Sequence, residues 1–460
     1  MDMTKGDIRR NILLFILPLA LGNLLQQFYN ITDIVILGRY AGPDALAAVG
    51  AVTIMTYVFN AVVFGLKTGV AIVCSTHFGE KDYAKVKSTV TTGIAVLVVV
   101  GCISTVAGTV YCDDILRLLH TPENLFQDAA VYLKIYICGL FFVYIFNFCS
   151  GIFQALGESK KPFIILLICT VINVILDIVF VRYIGMGVAG TAVSTVIAQA
   201  VSSIVAVAML FSRFTQIAKT EKYKWFDLTI LNNIFYIGLP SIVQQGIVSF
   251  GVIIVQSFIN RCGPDTIAGV TIASKIEGIV TLPILTIGEA VSVFTAQNMG
   301  AGKPERIKAG VGTALRLDYL MSTVLFVITM IAGRKIISII LKEQSTGEIL
   351  DAGMEYLFMM GIGMYFMSIN QTIGGAFRGF QKMGPFLLSF ACNIAVRVVS
   401  VNLLYQYTDR IGVFLANPVS FLAGSVVAVC FYKNIINGHR IIFQQNTEKV
   451  RFHWSKEIDS

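Results

Sequence analysis

Apolar residues in this chain are gathered into long runs separated by short polar segments. Twelve stretches nearly free of charge reach the roughly 20 residues that a helix needs to cross a bilayer. They are 11–37, 46–74, 90–111, 135–156, 162–184, 186–211, 234–259, 267–299, 309–332, 354–377, 385–407 and 411–432. Unpaired backbone groups cannot face lipid, and barrels need short alternating segments, so these runs predict helices. The composition agrees, with 56% apolar and 13% charged residues and a mean hydropathy of +0.76. A charged share about half that of a soluble domain excludes a water-soluble globule.

Basic residues give the orientation. Lys5, Arg9 and Arg10, then Lys81, Lys85 and Lys87, Lys160 and Lys161, Arg213, Lys219, Lys222 and Lys224 fall in alternate loops of the first half. Lys303, Arg306 and Lys308, Arg378 and Lys382, and Lys433, Arg440, Lys449, Arg451 and Lys456 continue the pattern, so these segments hold 22 of the 35 basic residues. The positive-inside rule then predicts a multi-pass protein of the plasma (inner) membrane with both termini cytoplasmic. An anionic leaflet accounts for the net charge of +8, so no nucleic-acid partner is implied. The first run is too long for a signal-peptide core and lacks a small-residue cleavage site, which predicts a retained first span.

Nine cysteines are scattered, mostly in spans, with no CxxC pair, and His77, His120, His439 and His453 lie in loops or the tail. No HExxH, GxGD, GxSxG or Walker A run is present. Metal hydrolysis, intramembrane proteolysis and ATP-driven pumping therefore lack their chemistry, and neither an enzyme nor a cofactor is expected.

The chain also repeats itself. Leu17-Pro18 is echoed by Leu239-Pro240, and Gly42-Pro43-Asp44 with Ala47 and Val49 by Gly263-Pro264-Asp265 with Ala268 and Val270. At the same offset of 221, Gly79 and Lys87 fall on Gly300 and Lys308; further on, Tyr132-Leu133 matches Tyr356-Leu357, and Phe153 with Pro162-Phe163 matches Phe377 with Pro385-Phe386. The ordered matches predict a duplication: an N-terminal six-helix bundle (1–215), a cytoplasmic connecting loop (216–233), a C-terminal six-helix bundle (234–437) and a cytoplasmic tail (438–460). Six spans per half give both copies one orientation, related by an axis along the membrane normal. The fold expected is an all-α membrane protein, twelve transmembrane helices in two pseudo-symmetric six-helix bundles around a central cleft.

Ionisable groups in mid-membrane cost on the order of 2.5–3.5 kcal/mol even on lenient scales, so each is a candidate for function. Asp33 shares a helical face with Gln26 and Asn30, and Asp177 lies one turn after Asn173. Thr191, Thr195 and Gln199 make a polar stripe in the sixth span, and Asn147, Ser150, Gly151 and Gln154 another in the fourth. Clustered carboxylate, amide and hydroxyl oxygens can ligate a hard cation such as Na⁺ or hold a proton between acids. The same amides and threonines, taken singly, also suit interhelical hydrogen bonds of about 0.6 kcal/mol each.

Pro18, Gln26, Asn30, Asp33 and Gly38, then Ala155-Leu156-Gly157-Glu158-Ser159-Lys160 with Pro162, Asn173-Val174-Ile175-Leu176-Asp177 and Gly190-Thr191-Ala192-Val193-Ser194-Thr195, follow one another in order. With Gln297-Asn298-Met299-Gly300-Ala301-Gly302-Lys303, this set resembles the multidrug and toxic compound extrusion (MATE) family from the first span to the twelfth. The resemblance implies a V-shaped pair of bundles exporting amphipathic, often cationic small molecules in exchange for Na⁺ or H⁺. It implies an N-lobe cation or proton site at Asp33, Asn173, Asp177 and Thr195, the candidate Na⁺ ligands, with Asn147 and Gln26 as polar neighbours. NorM-type members carry a glutamate in mid-seventh span; around Val248 this chain has only apolar and uncharged polar residues. A NorM-like C-lobe cation site is therefore not expected.

The C-terminal half carries Lys275, Glu277, Glu289, Arg316, Asp318 and Arg397 instead. Asn30, Gln154, Glu277 and Arg397 are candidates for the substrate cavity, while Glu277 with Lys275 and Arg316 with Asp318 can also be internal charge pairs. The leading expectation is a monomeric secondary multidrug exporter working by alternating access, with the bilayer and small molecules as its partners. The alternative is a flippase for lipid-linked oligosaccharide or peptidoglycan precursors, whose arginine-rich phosphate cavity a chain with one deep arginine, Arg397, does not match.

Overall fold

The computed structural model describes residues 1–216, 222–341 and 346–458, with side chains described as far as residue 437. Lys219, and the side chains of Arg440, Lys449, Arg451 and Lys456, thus lie outside the described residues. Among the described residues all regular structure is helical, and twelve helical spans are long and apolar enough to cross a membrane. This is a multi-pass membrane protein.

The helices are α1 (Ile8–Tyr40), α2 (Pro43–Glu80), α3 (Tyr83–Val110), α4 (Cys112–Leu118), α5 (Glu123–Ala155), α6 (Lys160–Asp177) and α7 (Gly187–Gln216). The second half runs α8 (Leu228–Ile259), α9 (Pro264–Val280), α10 (Leu282–Gly300), α11 (Pro304–Leu341), α12 (Gly347–Gly379), α13 (Met383–Thr408) and α14 (Arg410–Ile458). Three features depart from the apolar pattern. The short α4 is an addition, and the eighth run is broken at Thr281, just before Pro283, into α9 and α10. After Asp177, α6 widens into a π-helix over Ile178–Tyr183, a form that often marks functional positions.

Both copies of Gly-Pro-Asp make the same turn. Gly42 (φ 92°) and Gly263 (φ 91°) occupy the left-handed region open to glycine, Pro43 and Pro264 supply the fixed φ of a first helical turn, and Asp44 and Asp265 complement the helix dipole.

By contact the chain divides into two compact units: Met1–Asp2 with Leu13–Gly246, and Met3–Ile12 with Ile247–Ser460. Within the first unit α5 is central, packing on α2, α3 and α7, and α6 packs on α7. Tyr144 and Phe153 of α5 are fully buried. Gly157 in the α5–α6 turn takes φ 75°, and a Cβ there would strike the Met1 carbonyl oxygen at 2.0 Å, so the Leu-Gly-Glu turn needs its glycine. Within the second unit α12 occupies the corresponding place against α9, α10, α11 and α14. There Gly375 lies so close to α10 that its Cβ would meet the Gly288 carbonyl oxygen at 2.2 Å.

Candidate functional site

The first unit contains a cluster of oxygens that three helices bring together. Asp33 sits half-buried on α1, and Asp177, fully buried, is the last residue of α6 before the π-helical turn. Their carboxyl groups lie within hydrogen-bonding reach of each other. Ser194 of α7 donates its hydroxyl to Asp177 Oδ1, while Asp33 Oδ1 and Asp177 Oδ2 have no N–H or O–H donor among the described residues. One carboxyl can hydrogen-bond another only if it carries a proton, and two carboxylates in contact need a cation between them. Such a pair has the chemistry to hold one positive charge between its oxygens.

Around it the donors are oxygens. Tyr29, one turn before Asp33, gives its hydroxyl to Thr195 Oγ1 at 3.1 Å, and Thr195 in turn donates to the Thr191 carbonyl at 2.9 Å. Asn173 is 0% exposed, and both its amide atoms lack a partner among the described residues. Its carbonyl oxygen and the unpartnered Thr191 Oγ1 add neutral acceptors near the carboxyls, on the same helices. A buried amide with neither end satisfied costs on the order of 1–3 kcal/mol, which a bound ion or water would offset.

The structure therefore brings together Asp33, Asp177 and Thr195, with Asn173 one turn from Asp177. Other predicted members stand apart. Gln26 and Asn30 are exposed, and Asn147 is half-buried and gives its NH₂ to the Val143 carbonyl at 3.0 Å, one turn back on its own helix. Gln154 is buried and reaches Ser150 Oγ at 3.4 Å, again within α5. Two neighbours of the carboxyl pair were not singled out from the sequence, Tyr29 and Ser194. The only signal was position: Tyr29 precedes Asp33 by four residues and Ser194 follows Thr191 by three.

In the second unit the charged residues find partners other than the expected ones. Residues two apart on a helix do not face each other, so Lys275 is exposed and Glu277 instead accepts a hydrogen bond from Tyr356 at 2.5 Å. Arg316 is likewise exposed, and Asp318, 0% exposed, accepts from Thr372 at 2.5 Å. Arg397 donates to Ser420 at 3.1 Å and to Asn393 at 3.4 Å, and its guanidinium lies 4.9 Å from the centre of the Phe421 ring. Glu277 and Arg397 act on each other electrostatically across this network. Both candidates for substrate contact are thus already engaged by neighbours in their own unit.

Comparison with known proteins follows from this geometry. The MatE family profile matches residues 18–179 and 240–404, one match in each half. A probable multidrug resistance protein of Bacillus subtilis, YoeA, is 28% identical over 94% of each chain. The probable multidrug resistance protein NorM of Thermotoga maritima is 22% identical over 93% of this chain and 92% of its own. Among solved structures, a MATE protein in complex with MaL6 superposes with a TM-score of 0.90 at 20% identity, over 95% of this chain and 98% of the other. A MOP-superfamily transporter from Pyrococcus furiosus, described as having a binding pocket of reversed polarity, gives 0.88 at 19% identity over the same shares. These likenesses do not favour the flippase alternative.

Proposed function

Because the chain belongs to the MatE family of transporters, we propose that it exports amphipathic, cationic small molecules by antiport with H⁺ or Na⁺, and that the Asp33–Asp177 pair holds the coupling ion. The observation that carries this reading is the contact between two membrane-embedded carboxyls, of which Asp33 Oδ1 and Asp177 Oδ2 have no donor among the described residues. With the ion bound, one positive charge shared by the two carboxyls offsets half of their negative charge and draws α1, α6 and α7 together. Without it, two like charges repel in an apolar surround, and the helices that carry them favour a different arrangement. Substrate binds best to that second arrangement and the ion to the first, so the two compete without touching. Alternating access follows from this exchange.

No resident cofactor is required. The transporter works as a monomer in the plasma membrane with both termini cytoplasmic, which the distribution of Lys and Arg supports. Dye efflux from proteoliposomes, driven by an imposed pH gradient alone or an imposed Na⁺ gradient alone, tests the function and identifies the ion. One of the two gradients should drive a cationic dye outward; failure of both would overturn antiport.

A further inference from the structure

The Gln297–Lys303 motif contains neither of the acidic residues of the carboxyl pair, yet with Arg306 it grips a distant part of the chain. Five hydrogen bonds from four side chains converge on three consecutive residues of the chain's own start. Gln297 Oε1 accepts from the Met3 N–H at 3.0 Å; Asn298 Nδ2 and Arg306 Nε both donate to the Met3 carbonyl, at 3.3 and 3.1 Å. Lys303 Nζ donates to the Thr4 carbonyl at 2.7 Å, and Arg306 Nη2 to the Lys5 carbonyl at 2.8 Å. Gln297 and Asn298 are 0% exposed and Met3 is 1% exposed. All five of these bonds are to main-chain atoms of a turn, so they hold the backbone of residues 3–5 whatever its side chains.

A second anchor stands at the offset of the internal repeat. In the first unit the Lys224 N–H donates to Ser88 Oγ at 3.1 Å and the Asp227 N–H to Thr92 Oγ1 at 3.1 Å, while the Lys87 ammonium lies 5.3 and 5.5 Å from the ring centres of Phe214 and Tyr223. Met3 and Lys224, each held through its own N–H, are 221 residues apart, the spacing that relates Gly79 to Gly300 and Lys87 to Lys308. Each anchored segment immediately precedes a helix with an internal proline, Pro18 in α1 and Pro240 in α8. The held residues correspond in the two repeats, while the side chains that hold them, Gln297 and Ser88, do not stand at the same offset.

We propose that residues 297–306 are a docking site for the N-terminal segment of the same chain, a clasp that holds the foot of α1 and opens during each transport cycle. Residues 3–12 group by contact with the second unit and α1 from Leu13 onward with the first. These hydrogen bonds thus hold the segment that leads into the helix whose body carries Asp33. The opening step rests on the transport activity proposed above; the docking does not.

The test uses the full-length protein in nanodiscs and trypsin, which cuts after Lys5 only when that segment leaves its site. Release of peptide 1–5, followed by mass spectrometry, is slow in the wild type and about ten-fold or more faster in Gln297→Ala/Arg306→Ala, with cleavage unchanged at the sites the two proteins share. Met3→Pro removes the N–H that Gln297 accepts, together with the buried Met3 side chain, and leaves residues 297–306 intact, and Arg306→Lys keeps the charge but loses the two-armed contact; both accelerate release. Equal rates in wild type and all three variants overturn the docking. In proteoliposomes, loosening a contact that must break speeds dye efflux at least about three-fold. Faster cleavage with unchanged or lost efflux in folded protein overturns the opening step, and absence of efflux from the wild type under both gradients refutes the antiport reading instead.

Discussion

Asp177→Asn replaces a carboxyl by an isosteric amide that retains an oxygen for the Ser194 hydroxyl and fills the same fully buried volume. The fold survives. What is lost is the ability of the pair to bind one positive charge, since a single carboxylate at Asp33 beside a neutral amide no longer needs a proton or cation to offset its neighbour. In one-for-one exchange of a monovalent ion for a monovalent cationic dye the membrane potential cancels, so an imposed ion gradient of roughly fifty-fold, about 2.3 kcal/mol at about 1.36 kcal/mol per decade, sustains at most a roughly fifty-fold dye gradient. Proteoliposomes holding a fluorescent cationic dye under a fixed ion gradient measure this directly. The wild type should drive the dye outward beyond equilibrium, approaching that limit, and Asp177→Asn should only let it equilibrate, at unchanged protein level and melting temperature. A variant that still concentrates dye against its gradient would refute the assignment of the coupling ion to this pair.

Ser194→Ala removes the hydroxyl donor to Asp177; a hydrogen bond to a charged group is worth about 1.5–3 kcal/mol, so the apparent affinity for the driving ion should shift about ten-fold or more while maximal efflux persists, as read from initial rates against ion concentration. Tyr356→Phe leaves Glu277 without its phenolic donor and should lower the thermal midpoint in detergent, at a cost of about 1–3 kcal/mol, yet leave ion dependence unaltered because the Glu277 network lies in the other unit. Gly375→Ala places a methyl group 2.2 Å from the Gly288 carbonyl oxygen, a backbone atom that cannot step aside, and should fail to give monodisperse protein on size exclusion.

Where the sequence was legible, the reason was scarcity. Charge is rare in apolar runs, so twelve helices and two deep aspartates stand out before any coordinates are known, and Asp33 and Asp177 do meet. Tyrosine and serine are common in such helices, so nothing distinguished Tyr29 or Ser194 from ordinary packing. Helical spacing places Gln26 and Asn30 on the Asp33 face, but a face is broad, and these two side chains are exposed while Asp33 turns inward. Proximity in sequence misled in the other half, where Lys275 and Arg316 sit beside acids whose partners come from α12, 79 and 54 residues away. The Gln297–Lys303 motif marked the family without disclosing its task, because what it grips lies nearly 300 residues earlier in the chain.

The most direct test of the shared-charge site is to count the ions that purified transporter gives up when dye is added, using a pH or Na⁺ electrode in weakly buffered detergent solution. Competition through the carboxyl pair predicts about one H⁺ or Na⁺ released per wild-type molecule and none from Asp33→Asn, with dye still bound by both. Equal release from Asp33→Asn and wild type would contradict it.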